Sequence, residues 1–157
     1  MKKLLYVVLS LMPLGTLQAS EIAVTMHALS ESGVDNSVGV IVARETPRGL
    51  ELQSHMRGVQ PGTYAFTVNE NVGCGSHINL TGGSNVPGMA AGKSIRQLPD
   101  ITVDQTGSAE QILIAEGMSM RDIRGRTLVI SEKGSTPIKV GMDSGRRIVC
   151  GTLELYK

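Results

Sequence analysis

The chain has 157 residues, enough for one domain with a hydrophobic core and too few for two. Aromatic residues make up 3% of it, so the sequence lacks the interleaved aromatic and basic residues of a nucleic-acid platform, and nucleic acid is not an expected partner. The formal net charge is +1; without Lys2 and Lys3, which belong to the segment described next, 13 basic and 14 acidic residues remain.

The first 19 residues have the pattern of an export signal. Lys2 and Lys3 precede an apolar run, Leu4–Leu17, and the small residue Ala19 follows, so we expect cleavage after Ala19. The run is short for a membrane span and no stop-transfer charges follow it. A short signal with paired lysines is typical of bacteria. The sequence therefore predicts a periplasmic protein whose single domain covers residues 20–157, with no membrane span.

The mature sequence consists of short stretches of alternating apolar and polar residues, separated by Gly, Pro, Asn and Ser. Regular strands with turns between them favour an all-β sandwich or barrel. Only 118–125 is expected to form a helical turn. Two segments, 71–98 and 132–145, are Gly-rich and lack any period, which is typical of functional loops. The predicted strands are Glu21–Leu29, Ser37–Glu45, Gly49–Met56, Thr63–Asn69, Asp100–Asp104, Glu110–Ala115, Thr127–Ser131 and Arg146–Leu155.

The fourth predicted strand has two chemically different faces. Because side chains alternate along a strand, Tyr64, Phe66 and Val68 share one face, which we expect to point into the core. Thr67 and Asn69 lie on the opposite face, which the alternation predicts to point outward.

The only two cysteines, Cys74 and Cys150, both lie in the mature chain. An even number of cysteines in an oxidising compartment indicates a disulfide. Such a bridge would close a loop of about 75 residues and stabilise the fold by roughly 4 kcal/mol. A reactive or metal-binding thiol pair is the alternative, although the cysteines lack a C-x-x-C spacing.

The charges are unevenly distributed along the chain. Residues 121–147 carry seven basic and three acidic side chains. This segment would bind an anionic partner if its charges formed one patch, and would have no such role if they were scattered over several loops.

Three stretches of the sequence contain distinctive motifs. Residues 61–69, PGTYAFTVN, followed by Gly73-Cys74, resemble the copper-binding strand of bacterial copper-zinc superoxide dismutases, which reads Pro-Gly, then Gly-Phe-His-Ile-His and Gly-Ser-Cys. Residues 147–151, RIVCG, resemble the C-terminal Arg-x-Ala-Cys-Gly strand. Residues 128–131, LVIS, are similar to the strand that ends in a copper-binding histidine. The resemblance runs through essentially the whole mature chain.

This resemblance implies a fold and a pairing of the cysteines. The family has an eight-stranded Greek-key β-sandwich or barrel, which agrees with the number of predicted strands. Cys74 and Cys150 would form its single intramolecular disulfide. The two long loops would be the counterparts of the family's zinc-binding and electrostatic loops.

The same resemblance implies that the metal ligands are replaced. Neutral hydroxyl and amide groups hold divalent copper and zinc poorly. Dismutation of superoxide is redox cycling at a metal, which ordinary side chains do not perform. Arg147 alone remains of the catalytic set, and we expect it to brace the adjacent loop through backbone carbonyls. Thr67, Asn69 and Ser131 stand where the family has copper-binding histidines. Ser84 stands in place of the histidine that bridges both metals, and Ser94 and Gln97 stand in place of zinc ligands.

We therefore interpret the sequence as a non-catalytic, metal-free, superoxide dismutase-like protein without a cofactor, acting as a binding or structural module. Its former metal face is expected to receive a partner protein or an anionic envelope component; no oligomeric state is predicted. One alternative is a copper-zinc dismutase with relocated ligands. The other is a periplasmic copper binder that uses methionine and histidine. The former metal face carries Thr67, Asn69, Ser131 and Arg147. The residues considered for the two alternatives are Met118, Met120, His27, His55 and His77.

Overall fold

The computed structural model describes residues 21–75, 77–78, 85–86, 88–133 and 145–153. The predicted export signal, residues 1–19, lies outside this part. Within these ranges no helix has the length and hydrophobicity needed to cross a membrane. The strands are β1 Glu21–Ser30, β2 Gly33–Thr46, β3 Gly49–Met56, β4 Gly62–Asn69, β5 His77–Ile78, β6 Asn85–Val86, β7 Ser94–Val103, β8 Ala109–Glu116, β9 Arg126–Ser131 and β10 Arg147–Leu153. Two short 3₁₀-helices are Met89–Ala91 and Met120–Asp122.

Eight strands form one antiparallel sheet that curls into a nearly closed barrel. Their order is β7-β4-β9-β10-β1-β2-β3-β8, and β5 pairs separately with β6. All eight predicted strands are confirmed, and β3 has the predicted bounds. The largest differences are at the starts of β2 and β7. Register shifts between β1 and β2 interrupt the alternation at the start of β2. The start of β7 was not predicted because the segment contains Pro99, and proline within a sheet is largely confined to edge strands.

Apolar side chains fill the barrel interior. Tyr64, Phe66 and Val68 belong to this core, as the alternation along β4 predicts. Phe66, the only phenylalanine of the chain, is completely buried. Burial of a side chain of this kind contributes about 1.5–3 kcal/mol, so β4 is a main source of stability.

The helical turn predicted over 118–125 is present as the second 3₁₀-helix and packs against this core. Met118, Met120 and Ile123 are buried there. Asp122 Oδ2 accepts hydrogen bonds from the backbone N–H of Ser119 at 2.7 Å and from its hydroxyl at 3.0 Å. These two bonds hold the pKa of the Asp122 carboxyl below its usual value. Both methionines proposed for cuprous binding therefore serve as core side chains.

Candidate functional site

The outer face of β4, β9 and β10 carries most of the predicted site positions. Side chains of residues directly opposite one another on neighbouring strands share a face. The strand register places Ala65, Ser131 and Arg147 in one row, Thr67, Val129 and Cys150 in the next, and Asn69, Thr127 and Thr152 in a third. The sheet thus brings Thr67, Asn69, Ser131 and Arg147 together on one face.

Two segments, residues 70–75 and 88–93, lie over this face, and we call them the cover. They are joined by backbone hydrogen bonds from Glu70 N to Lys93 O and from Asn71 N to Ala91 O, each 3.0 Å long. The buried hydroxyl of Thr127 donates to the Asn71 carbonyl at 2.7 Å. A side chain of β9 therefore fixes the cover to the barrel.

Side chains at positions predicted to be replaced metal ligands are hydrogen-bonded to the cover. The Thr67 hydroxyl donates to Asn69 Oδ1 at 2.9 Å, and Asn69 Nδ2 donates to the Gly92 carbonyl at 2.9 Å. Arg147 Nη2 donates to the same carbonyl at 2.7 Å, and its Nη1 donates to the carbonyl of Gly88. Burial of the guanidinium lowers the pKa of Arg147 from its ordinary value. We call these residues the polar network.

Gly92 is required where the polar network meets the cover. Its φ of +74° lies in the left-handed region that favours glycine. A Cβ at this position would lie 2.6 Å from Asn71 Nδ2 and 2.7 Å from Glu70 Cγ. Any other residue would therefore adopt a disfavoured backbone conformation here, and the side chains of Asn71 and Glu70 would have to move aside.

A disulfide between Cys74 and Cys150 links the cover to β10, so the predicted bridge is confirmed and the thiol-pair alternative is wrong. The bridge lies in a small apolar cluster under the cover, separate from the barrel interior. Ala91 and Val129 are its other fully buried members. The outer face is thus packed like a second core, with apolar groups beside hydrogen-bonded polar groups.

The four side chains that the sequence analysis assigned to a partner-binding face are themselves buried in the structure. Thr67, Asn69, Ser131 and Arg147 are 3%, 0%, 6% and 8% exposed. Strand alternation distinguishes the two faces of a sheet, but it does not show whether a loop covers the outer one. A partner at this face would contact the cover and not these four side chains.

The remaining predicted positions have three different environments. Ser94 lies opposite Asn69 on β7 and is 1% exposed, and its Oγ has no hydrogen-bond partner within the described ranges. Gln97 lies opposite Thr67 but is exposed. Ser84 lies outside the described residues. The sequence analysis missed Thr127, whose two-residue spacing from Val129 and Ser131 would have placed it on the same face.

The residues that stand at the ligand positions do not fit copper or zinc. The described ranges contain no group of three or more His, Cys, Asp or Glu that could hold a metal ion. Thr67 and Asn69 offer only neutral oxygen and nitrogen, and they bond to each other and to the cover. Copper and zinc sites need imidazole, thiolate or carboxylate groups in a fixed geometry.

The three histidines do not supply such groups in place of the missing ones. His27 lies on β1, where its Nδ1 is 3.3 Å from the Asp35 carbonyl. His55 lies on β3, opposite Glu110 of β8. His77 belongs to β5. They are on three separate strands, although the sequence predicted that His77 would lie in the long loop 71–98.

The basic segment 121–147 does not present all its charges on one open patch. Arg147 is buried under the cover. Lys133 pairs with Asp100, and Arg146 pairs with Glu132 at 2.9 Å. Of the seven basic side chains in this segment, three in its described part are therefore buried or paired with an acidic residue.

The fold and this face together define a disulfide-bridged antiparallel β-barrel whose outer face is closed by a covering loop. The chain belongs to the copper/zinc superoxide dismutase family, because the family model described as copper/zinc superoxide dismutase (SODC) matches residues 37–153. The chain is 28% identical to copper-zinc superoxide dismutase 1 of Salmonella typhimurium over 177 aligned positions, which cover 95% of this chain and 98% of that protein.

Two solved structures support the same assignment. The copper/zinc superoxide dismutase from Brucella abortus superimposes with a TM-score of 0.77 at 25% identity, covering 86% of this chain and 100% of that one. The monomeric copper, zinc superoxide dismutase from Salmonella enterica gives a TM-score of 0.74 at 25% identity, with 85% and 99% covered.

Proposed function

We propose that this chain is a non-catalytic member of the copper/zinc superoxide dismutase family, acting as a binding or structural module of the bacterial periplasm. Relatives named as copper-zinc dismutases match almost the whole chain, so the scaffold is that of the family. The residues at the ligand positions, however, are those of a hydrogen-bonded protein interior.

The polar network is the single observation that carries this proposal. Asn69 stands where the resemblance puts a copper-binding histidine, and its amide instead connects Thr67 to the Gly92 carbonyl. A metal bound at this position would have to displace those bonds and would gain only weak neutral ligands. Without a redox metal, the chain has no group that can pass electrons to and from superoxide.

The Cys74–Cys150 bridge supports an exported protein. Disulfides persist in oxidising compartments and are rare in the cytosol. Together with the export signal predicted for residues 1–19, this supports the proposed periplasmic location.

Reconstitution with metals tests the proposal. The purified protein is incubated with copper and zinc, freed of excess metal, and assayed for superoxide consumption beside a bacterial copper-zinc dismutase treated in the same way. We expect the relative to recover activity and this chain to show none above its untreated form. Superoxide consumption that rises with bound copper would refute the proposal and support the dismutase with relocated ligands.

A further inference from the structure

The two end strands of the sheet, β7 and β8, leave a cleft between them. They are consecutive in the chain, and their connection starts like a hairpin, with Asp104 N donating to Ser108 O at 2.8 Å. The side-chain amide of Gln111 then bridges to the Thr102 carbonyl at 2.9 Å. No ladder joins the two strands along their described lengths. Further from the turn, a cleft of about 480 Å³ separates 97–100 from 114–116.

Only β8 has the backbone to accept another strand in this cleft. Pro99 interrupts the edge of β7 because it has no N–H to donate. β8 contains no proline and pairs with β3 on one side alone. A strand paired on one side presents the rest of its N–H and C=O groups on the other side, where a second extended chain can bind them.

The cleft combines an apolar floor with an acidic rim. Leu98, Ala115 and Met118 contribute buried apolar side chains. Asp100 lies on the β7 side and Glu116 on the β8 side. No basic residue lines the cleft within the described part of the chain, although Lys133 bonds to Asp100. A ligand with apolar and cationic groups complements this surface.

The β8 edge also carries exposed apolar surface, but β8 itself has no basic residue to complement the acidic rim. Ile112, the most exposed of the large apolar side chains described, is 59% exposed near the middle of the strand. Two β8 strands paired antiparallel over all eight residues would place Glu110 opposite Ala115 and Glu116 opposite Ala109, and would bring no cation to the rim. A peptide that carries Lys or Arg therefore complements this edge better than a second copy does.

We propose that the β8 edge of this cleft binds an extended peptide segment as an added strand, with a Lys or Arg side chain held between Asp100 and Glu116. This inference rests on the proposed function, since it names the surface and the partner class of the binding module. It places the contact away from the polar network, which the cover keeps inaccessible.

The test uses a synthetic seven-residue peptide in which valine and threonine alternate between two terminal lysines, added to the ¹⁵N-labelled protein. We expect saturable amide shifts at 112–116 and 97–100 and little change at 88–93. A peptide N-methylated on the pairing edge cannot donate strand hydrogen bonds, and we expect its binding to be lost. Unchanged binding of the methylated peptide would overturn the proposal, as would shifts confined to other strands.

Charge is tested with a matched variant and a matched peptide. Glu116 is exposed, so Glu116→Lys should fold normally, and it should weaken the lysine peptide about tenfold while strengthening a glutamate-ended peptide. Equal binding of both peptides to both proteins would contradict the assigned rim. If spermidine displaced the bound lysine peptide as effectively as unlabelled lysine peptide does, the cleft would be a site for cations only. That result would refute strand addition. Failure here leaves the metal reconstitution result intact, so the two proposals fail separately.

Discussion

Phe66 and Thr67 are neighbours in β4, yet they belong to two differently built halves of the molecule. Phe66 points into the barrel, where apolar packing alone is required. Thr67 points outward and is just as inaccessible to solvent, because the cover lies over it. The interior is mainly apolar, and its buried Ser54 hydroxyl donates to the Ala109 carbonyl at 2.9 Å. The covered face buries several polar side chains together and must pair almost all of them. The two sides of one strand are therefore stabilised by different forces, and mutations can separate them.

Removal of the disulfide, which lies on the covered side, should have the largest effect on the stability of the whole fold. The bridge joins residues 76 positions apart, so its loss in the double variant Cys74→Ser, Cys150→Ser should lower the free energy of unfolding by roughly 4.5 kcal/mol in the chain-entropy model. Denaturant titration measures this change. Reduction of the unmodified protein should give a similar loss, and equal stability of both forms would show that the bridge contributes little.

The adjacent pair in β4 compares the two sides directly. Phe66→Ala empties the barrel interior and should destabilise the protein by about 4 kcal/mol, whereas Thr67→Val removes one buried hydroxyl and should cost about 1 kcal/mol. Urea unfolding of both variants gives the two values. Similar losses for both would mean that the covered face contributes as much as the core.

Asn69→Ala should loosen the cover without opening the barrel. It removes both the amide N–H that donates to the Gly92 carbonyl and the oxygen that accepts from the Thr67 hydroxyl. The Gly92 carbonyl keeps its hydrogen bond from Arg147. We expect a loss of about 2 kcal/mol. Hydrogen exchange should speed up at 88–93 and stay slow in β2 and β3. Uniform acceleration in all strands would instead indicate global destabilisation.

The smallest expected effect is at Ser94. Its buried hydroxyl oxygen has no hydrogen-bond partner in the described ranges, so Ser94→Ala removes a buried polar group that is unsatisfied there. The variant should be as stable as the original protein or gain up to about 1 kcal/mol. Thermal unfolding beside Thr67→Val shows the contrast, and a clear loss at Ser94 would reveal a hydrogen bond that the described residues do not provide.

The strands and the barrel interior were predictable because each depends on local alternation. Tyr64, Phe66 and Val68 point inward as their spacing requires. The covered face was not predictable in this way, since it depends on contacts such as Asn69 to Gly92, 23 residues apart. The role of Thr127 was missed for the same reason, because its hydroxyl bonds to the Asn71 carbonyl 56 residues away. Neighbouring positions on a strand show which face a residue occupies, and only the fold shows what lies above that face.

The start of β7 shows a second limit of the sequence. Ser94 to Pro99 lacks the alternation of a two-faced strand, because β7 is an edge strand beside an open cleft. The prediction therefore began at Asp100 and placed Ser94 and Gln97 in a loop. Their contrasting burial, with Ser94 inaccessible and Gln97 exposed, follows from the register with β4.

The metal content of the protein isolated from its own cells tests the central claim most directly. Copper and zinc are measured per chain by mass spectrometry, beside a bacterial copper-zinc dismutase isolated in the same way. We expect far less than one copper or zinc per chain here, and a melting temperature that chelators do not change. One copper per chain, lost to a chelator together with stability, would show that the hydrogen-bonded face gives way to a metal and would contradict the account.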